Sequence, residues 1–345
     1  MVGIFRATLS AGVLVAFSAA SAAHAQPAVS FEGKPVTVYI GVGPGGGFDL
    51  YARTLARHMG RHLPGKPTIV PKNVPGAGSV QLANQIPELP RDGTAIAALD
   101  NALYMHQLLG SIPNVKFDAA QFNWLGRLAG LPLLLISWHT SPVKTADETL
   151  TTEMTVGIPG AGAYSGLLLG AVKGVLGAKF KFISGYQSGA DVRLALERGE
   201  IDGTASIQWT LMREQQRDWI ADRKVNLLIQ LGLTSYPDLK DVPLVRDLAK
   251  TEEQKQILTV FLAPAEIGRA YVAPPGMAQD RVDLLRTAFA AMTRDEAFIA
   301  DAAKQNLEID PMDGVTLQAL VKSIGGIPPA TLARAREVME QAERK

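Results

Sequence analysis

The sequence predicts an α/β protein built on mostly parallel sheets. A strand–loop–helix unit recurs within the first hundred residues, the same unit returns in mid-chain, and four of the loops that follow strands are rich in glycine. Ligands of such sheets sit beyond the carboxyl ends of the strands, where these loops fall.

The first unit is the clearest. Val36 to Ile40 is β-branched or aromatic, as in a buried strand, and runs into Gly41-Val42-Gly43-Pro44-Gly45-Gly46-Gly47-Phe48-Asp49. A helix follows, with Leu55, Met59 and Leu63 on its apolar face, Ala52 and Ala56 beside them, and Asp49 placed to cap it. A strand, a bare glycine backbone and a helix start make an anion site, because N–H groups point outward and the helix dipole adds positive potential.

Other occupants fit less well. Gly41-Val42-Gly43-Pro44-Gly45-Gly46 satisfies the dinucleotide pattern GxGxxG, but the next strand, Thr68 to Val70, ends in Pro71-Lys72-Asn73 without the carboxylate that would hold a ribose. No Gly-Lys-Ser/Thr follows, so a nucleotide phosphate loop is excluded. A turn with no ligand would rarely need so many glycines. A non-nucleotide anion is favoured; the dinucleotide and the plain turn stay open.

The remaining units repeat this logic. Asn73 to Ser79 is a second glycine loop before a helix at Val80 to Ile86, and Arg91-Asp92-Gly93-Thr94 turns into a short strand from Ala95 to Leu99, ending at Asp100-Asn101. Leu133 to Trp138 is strand-like, and a short helix starts around Thr145 to Glu148. Met154 to Ile158 leads into Pro159 to Ser165, a third glycine loop, and a helix from Leu167 to Leu176 stops at Gly177. Phe180 to Ile183 enters a fourth loop, Ser184 to Ala190, with Asp191 capping a helix that Gly199 ends. Ile201 to Ile207 is a strand exposing Gln208-Trp209, and Val225 to Leu233 is another. The rest reads as helical. Thr251 with Gln254 and Thr293 with Glu296 fit capping boxes, a helix spans about 252–262, and Val282, Leu285, Phe289 and Met292 form a helical stripe. A last helix covers about Gly314 to Ser323, followed by a polar tail from Thr331.

Residues 1–25 carry an early Arg6, an apolar stretch from Ala11 to Ala20, and Ala23-His24-Ala25 before Gln26, the pattern of a cleaved secretory signal. The apolar stretch is too short to span a membrane. The chain has no cysteine, hence neither disulfides nor a lipid anchor on cysteine, and export to the periplasm is the expectation. Loss of Arg6 with the leader takes the net charge from +1 to zero, which argues against nucleic acid as a partner. The 320 residues left of 345 suffice for two domains, and 47% hydrophobic content can fill their cores.

Catalytic groups are sparse. His24 leaves with the signal, and His58 and His62, though spaced i, i+4, sit among Arg53, Arg57 and Arg61 and read as a solvated basic face rather than a metal site. There is no GxSxG elbow. Ser165 at a helix start suits donation to an anion better than nucleophilic attack. No enzyme activity and no cofactor are expected.

The ordered motifs resemble a family. Pro44 to Asp49 as PGGG-x-D, Asn73 to Gly78 as N-x-PGAG, Asp92 to Thr94, Gly157 to Ser165, Ser184 to Asp202 with its ALxxGExD ending, Val272 to Gly276 and Asp310-Pro311 together look like the Bug-type solute receptors of tripartite tricarboxylate transporters. The resemblance covers essentially all of the chain after the signal. It implies a type II-like periplasmic-binding-protein clamshell, with domain 1 at 26–127 plus 238–345, domain 2 at 128–237, and crossovers near Leu125 to Gly130 and Leu233 to Val242.

By matching position, the resemblance places a carboxylate between the domains. The first would offer Gly45, Gly46, Gly47, Phe48, Asp49, Gly78, Ser79 and Asn101. The second would offer Gly160, Ala161, Gly162, Ala163, Tyr164, Ser165, Gln187, Ser188 and Gly189, with Asp202 and Gln208 further out. Asp49 is expected to cap its helix rather than touch ligand, and Trp209 to line the far wall or fill the core. Phe48 stands where relatives commonly have Thr, and Ala161 and Ala163 lack the usual polar groups, so a family ligand does not transfer directly. The implied partners are a small organic acid and the transporter's membrane subunits, with the receptor a monomer. The alternatives are a ligand sensor feeding a sensor kinase and an exported NAD-dependent dehydrogenase.

Overall fold

The computed structural model describes residues 30–343 except 112, 159–163 and 187–188. Buried apolar strands assemble into two sheets. In chain order the strands are β1 (Val36–Ile40), β2 (Ile69–Asn73), β3 (Ala95–Ala98), β4 (Asn123–Arg127), β5 (Leu133–Trp138), β6 (Met154–Gly157), β7 (Phe180–Ile183), β8 (Gly203–Ile207), β9 (Val225–Leu231), β10 (Ala270–Ala273) and β11 (Met312–Asp313). The first sheet runs β11-β4-β10-β3-β1-β2 and the second β7-β6-β8-β5-β9.

The helices are α1 (Gly47–His58), α2 (Val80–Gln85), α3 (Leu103–Leu109), α4 (Glu148–Thr151), α5 (Tyr164–Leu176), α6 (Gly189–Glu197), α7 (Trp209–Gln215), α8 (Arg217–Ala221), α9 (Glu252–Ile267), α10 (Gln279–Met292), α11 (Glu296–Lys304), α12 (Gly314–Gly325) and α13 (Pro329–Glu343). No helix among the described residues is long and apolar enough to cross a membrane.

Pairing direction fixes where the loops lie. β1 is parallel to β2 and β3, and β10 is antiparallel to both β3 and β4, so Gly41, Val74, Leu99 and Leu128 all leave one edge of the first sheet. In the second sheet β6, β7 and β8 are parallel, while β5 is antiparallel to β8 and β9. Segment 128–132 joins those two carboxyl edges directly, and they open on one crevice. The chain returns through α9, whose end lies against the first crossing. Leu128 N–H donates to Arg269 O, Arg269 N–H to Ala129 O and Leu131 N–H to Ala265 O. The two crossings thus form a short laced hinge.

Local sequence accounts for most elements. Thr251 and Gln254 form the expected capping box on α9. Gly177 is left-handed after α5, with φ of 77°. Some expectations need correction. Thr293 does not start α11: Asp295 is the N-cap, its carboxylate accepting from Ala297 N–H, while Thr293 Oγ1 donates to Ala290 O at the end of α10. Asp191 lies inside the first turn of α6 rather than capping it. The segment from Thr331 is no tail, since α13 packs on α5, α9 and α3, burying Ala335, Val338 and Met339. Helix α9 continues to Ile267, five residues past the expected end, with Pro264 inside it.

Candidate functional site

The edge of the first sheet is knitted by Ser79. Its backbone is left-handed, with φ of 71°, its side chain is fully buried, and its Oγ donates to Gly41 O at 3.0 Å while accepting Asp100 N–H at 3.0 Å. One hydroxyl therefore fixes the loops after β1 and β3 and the second glycine loop relative to one another. Gly41 must lack a side chain, because a Cβ there would fall 2.4 Å from that Oγ. Ser79 is thus committed to the loops.

Helix α1 starts at Gly47 with Gly46 as N-cap, one turn earlier than Asp49 would have set it. Asp49 is instead the third helical residue. It reaches back to accept Gly45 N–H at 2.8 Å, and also accepts Arg53 Nε–H at 2.8 Å and Asn73 Nδ2–H at 2.8 Å. Burial pushes its carboxyl up, but hydrogen bonds from Arg53, Gly45 and Asn73 outweigh that and hold it below the usual carboxylate range. Gly45 N–H is thereby used internally. The amides of Gly47, Phe48 and Asp49 form the first turn, where an α-helix supplies no acceptor of its own.

The crevice holds a cavity of about 350 Å³ lined by Tyr51 and Arg269 from the first sheet's side, Gly130 and Leu131 from the hinge, and Gln208 and Leu211 from the second sheet's side. Gln208 is the N-cap residue of α7, which places it at the carboxyl end of β8. Across the crevice, Thr210 Oγ1 donates to Glu308 Oε2 at 2.6 Å, while Tyr51 Oη donates to Glu308 O at 2.8 Å. Arg269, which precedes β10 at the same edge, is a residue that sequence reasoning missed. Its guanidinium carbon lies 3.8 Å from the centre of the Phe48 ring, and a Cβ at Gly47 would be 3.0 Å from its Nη2. Nothing near Arg269 in sequence signals this, since it is the fold that carries α9 back to the glycine loop.

Several expected residues are engaged elsewhere. Asn101 Nδ2 donates to Pro264 O, tying the β3 loop to α9, and Tyr164 Oη donates to Phe261 O. Burial pushes the Tyr164 phenol well up. Asp202 lies before β8, at the edge of the sheet away from the crevice, where its carboxylate accepts Thr155 N–H and Oγ1–H. Its position in the ALxxGExD motif serves strand pairing. Trp209 is buried, with its indole N–H on Asp238. Gly78 lies in the second loop, Gly189 is the first residue of α6, and Ser165 is buried in the first turn of α5. Gly160, Ala161, Gly162, Ala163, Gln187 and Ser188 fall outside the described residues.

The two histidines are not a solvated face. His58 Nε2 lies 2.8 Å from Asp301 Oδ2 and His62 Nε2 lies 2.9 Å from Asp295 Oδ2, so each meets its own carboxylate on or beside α11. Hydrogen bonds from Arg57 and His58 lower the Asp301 carboxyl, and the Ala297 amide followed by His62 lowers that of Asp295. Among the described residues no cluster of three or more His, Cys, Asp or Glu could hold a metal ion. Because Asp49, Asp295 and Asp301 have depressed folded-state pKa values, their contribution is complete above the ordinary carboxylate range and is lost as pH falls through the folded values. The melting temperature should therefore hold between about pH 5 and 7 and fall below about pH 4. A pH series by scanning calorimetry checks this.

Two α/β sheets whose carboxyl edges open on one crevice make up a two-domain architecture shared with periplasmic binding proteins of known structure. More particularly, the fold is that of the TctC and Bug periplasmic binding proteins, as the motifs led one to expect. A TctC solute-binding protein from Polaromonas superposes with a TM-score of 0.70 at 19% identity, over 90% of this chain and 99% of that one. BugD gives 0.52 at 22% identity, over 89% and 97%. These neighbours are binding proteins, not enzymes. In sequence the chain is 28% identical to a UPF0065 protein of the gbd 5′ region of Cupriavidus necator, over 71% of this chain and 73% of that protein. It is 26% identical to a UPF0065 protein of Bordetella pertussis, over 81% and 82%. No family model matches the sequence.

Proposed function

We propose that this protein is a periplasmic receptor that closes two lobes on a small organic acid and delivers it to the membrane subunits of a tripartite tricarboxylate-type transporter. The observation that carries the reading is the first turn of α1, whose amides stand at the carboxyl edge of one sheet, while Gln208 at the carboxyl end of β8 lines the crevice from the other. Amide donors of this kind stabilise a carboxylate once water is excluded. A ligand touching both edges favours the closed arrangement by the contacts it gains there. One structural neighbour, R. palustris Rpa4515, was solved with adipate, which supports a carboxylate as the ligand class.

The expected ligand contacts are Gly46, Gly47, Phe48 and Gly78 on the first lobe and Gln208 and Ser165 on the second. The test is thermal stabilisation by carboxylic acids, run beside Gly46→Phe. A Cβ at Gly46 meets nothing within 4 Å, so the fold should tolerate the ring, with a shift of about 1 kcal/mol or less from the changed N-cap. Stabilisation by acids should disappear. Undiminished stabilisation in Gly46→Phe would remove the glycine loop from the site, and stabilisation by NAD alone would favour the dehydrogenase.

A further inference from the structure

The geometry points to Arg269 as the side-chain anchor for the ligand's carboxylate, which makes the ligand an organic acid with one charged end at Arg269 and an uncharged body in a mixed lining of Leu131 and Leu211 with Gln208, Thr210 and Asn306. This assignment rests on the receptor reading above and adds a specificity-determining cation to it. Arg269 lines the cavity of about 350 Å³ between the lobes, and its guanidinium lies over the ring of Phe48. It makes no ion pair or hydrogen bond through its side chain with any described residue, and its Nε is buried without a partner. The contrast with Arg127 is instructive: that buried arginine, at the same edge, is satisfied by Glu266 and Asp310.

A desolvated guanidinium without a counter-charge is unfavourable, and proteins normally pair it. Burial indeed lowers the Arg269 pKa. The same cation stands beside the first-turn amides of α1, so two sources of positive potential meet with no carboxylate of the described residues within ion-pair distance of the guanidinium. An incoming carboxylate satisfies both, and the planar fork of arginine matches it in bidentate fashion. Phe48 supplies a flat support that sets the plane of the fork, a role a Thr could not fill. The lining holds no second cation and does hold Glu308, so the far end of the ligand is uncharged.

The experiment is calorimetry and thermal shift on the full-length secreted chain with a panel of aliphatic and aromatic mono- and dicarboxylates, each beside its neutral amide. Wild type should bind at least one acid and discriminate against its amide by about tenfold or more. Arg269→Gln should weaken that acid about a hundredfold, with an apo melting temperature equal to or above wild type, because a half-buried charge without an ion-pair partner has been removed. Arg269→Lys should retain binding within about tenfold, and Phe48→Leu should weaken it severalfold with the charge intact. Unchanged acid affinity in Arg269→Gln, or an amide bound as tightly as its acid, overturns the anchor and leaves the receptor reading standing. Stabilisation of wild type by none of the acids overturns both. Should Arg269→Gln fail to fold, the acid-to-amide ratio of wild type and the Arg269→Lys affinity still decide the matter.

Discussion

Gly268→Ala is expected to destabilise the protein by about 3 kcal/mol or more, from backbone strain and a clash that has no room to relax. Gly268 follows α9 at φ of 54° and ψ of −131°, a conformation open in practice to glycine alone. A Cβ there would lie 2.0 Å from Ala129 O and 3.0 Å from Gly130 Cα. Ala129 O is the acceptor of Arg269 N–H, so the added methyl would push apart the two segments that the hinge laces together. Arg269 follows directly, and its guanidinium would shift with them. Chemical denaturation should therefore report a large loss of stability together with weaker ligand stabilisation. A variant as stable as wild type would show that the crossings are not in fact locked against each other.

The second large effect is expected at Glu266. Its carboxylate is buried, pairs with Arg127 Nη1 at 2.9 Å through Oε2, and accepts Leu233 N–H at 2.9 Å and Thr234 N–H at 3.0 Å through Oε1. The last two donors belong to the segment leaving β9, so one side chain binds the end of α9 to that segment and to the end of β4. Glu266→Ala leaves Arg127 buried beside the more exposed Asp310 and strands two amides, which should cost roughly 3–5 kcal/mol. Glu266→Gln keeps an acceptor for the amides and should lose less. Equal losses in the two variants, measured by urea denaturation, would mean that the amide contacts contribute little and the charge carries the whole effect.

Much of this fold was legible because its signals are local. β5 and β7 have the predicted bounds, and the first two glycine loops sit where strand ends were read. What escaped were features made by distant residues. His58 and His62 could not be matched to Asp301 and Asp295 without the packing of α11 on α1. The helix after Thr331 was read as a tail because its apolar residues, Ala335, Val338 and Met339, are few and its polar ones many. Within the candidate site, the loop glycines were proposed from their local sequence and the resemblance, whereas Arg269 lies 220 residues beyond Asp49 and is brought there by α9 alone. Asp202 shows the converse limit, since a motif fixes a residue's place in a strand and not the edge on which it acts.

Helices α9 and α13 fill a seam shared by both sheets, for α13 rests on α5 of one half and α3 of the other. Their apolar residues join a single cluster that runs from Leu82 and Leu109 through Phe261 and Val338 to Leu168 and Val172. Such a spine cannot be wetted cheaply. We expect the halves, when they part, to do so the way a book does, fanning at the free margin while the binding stays closed.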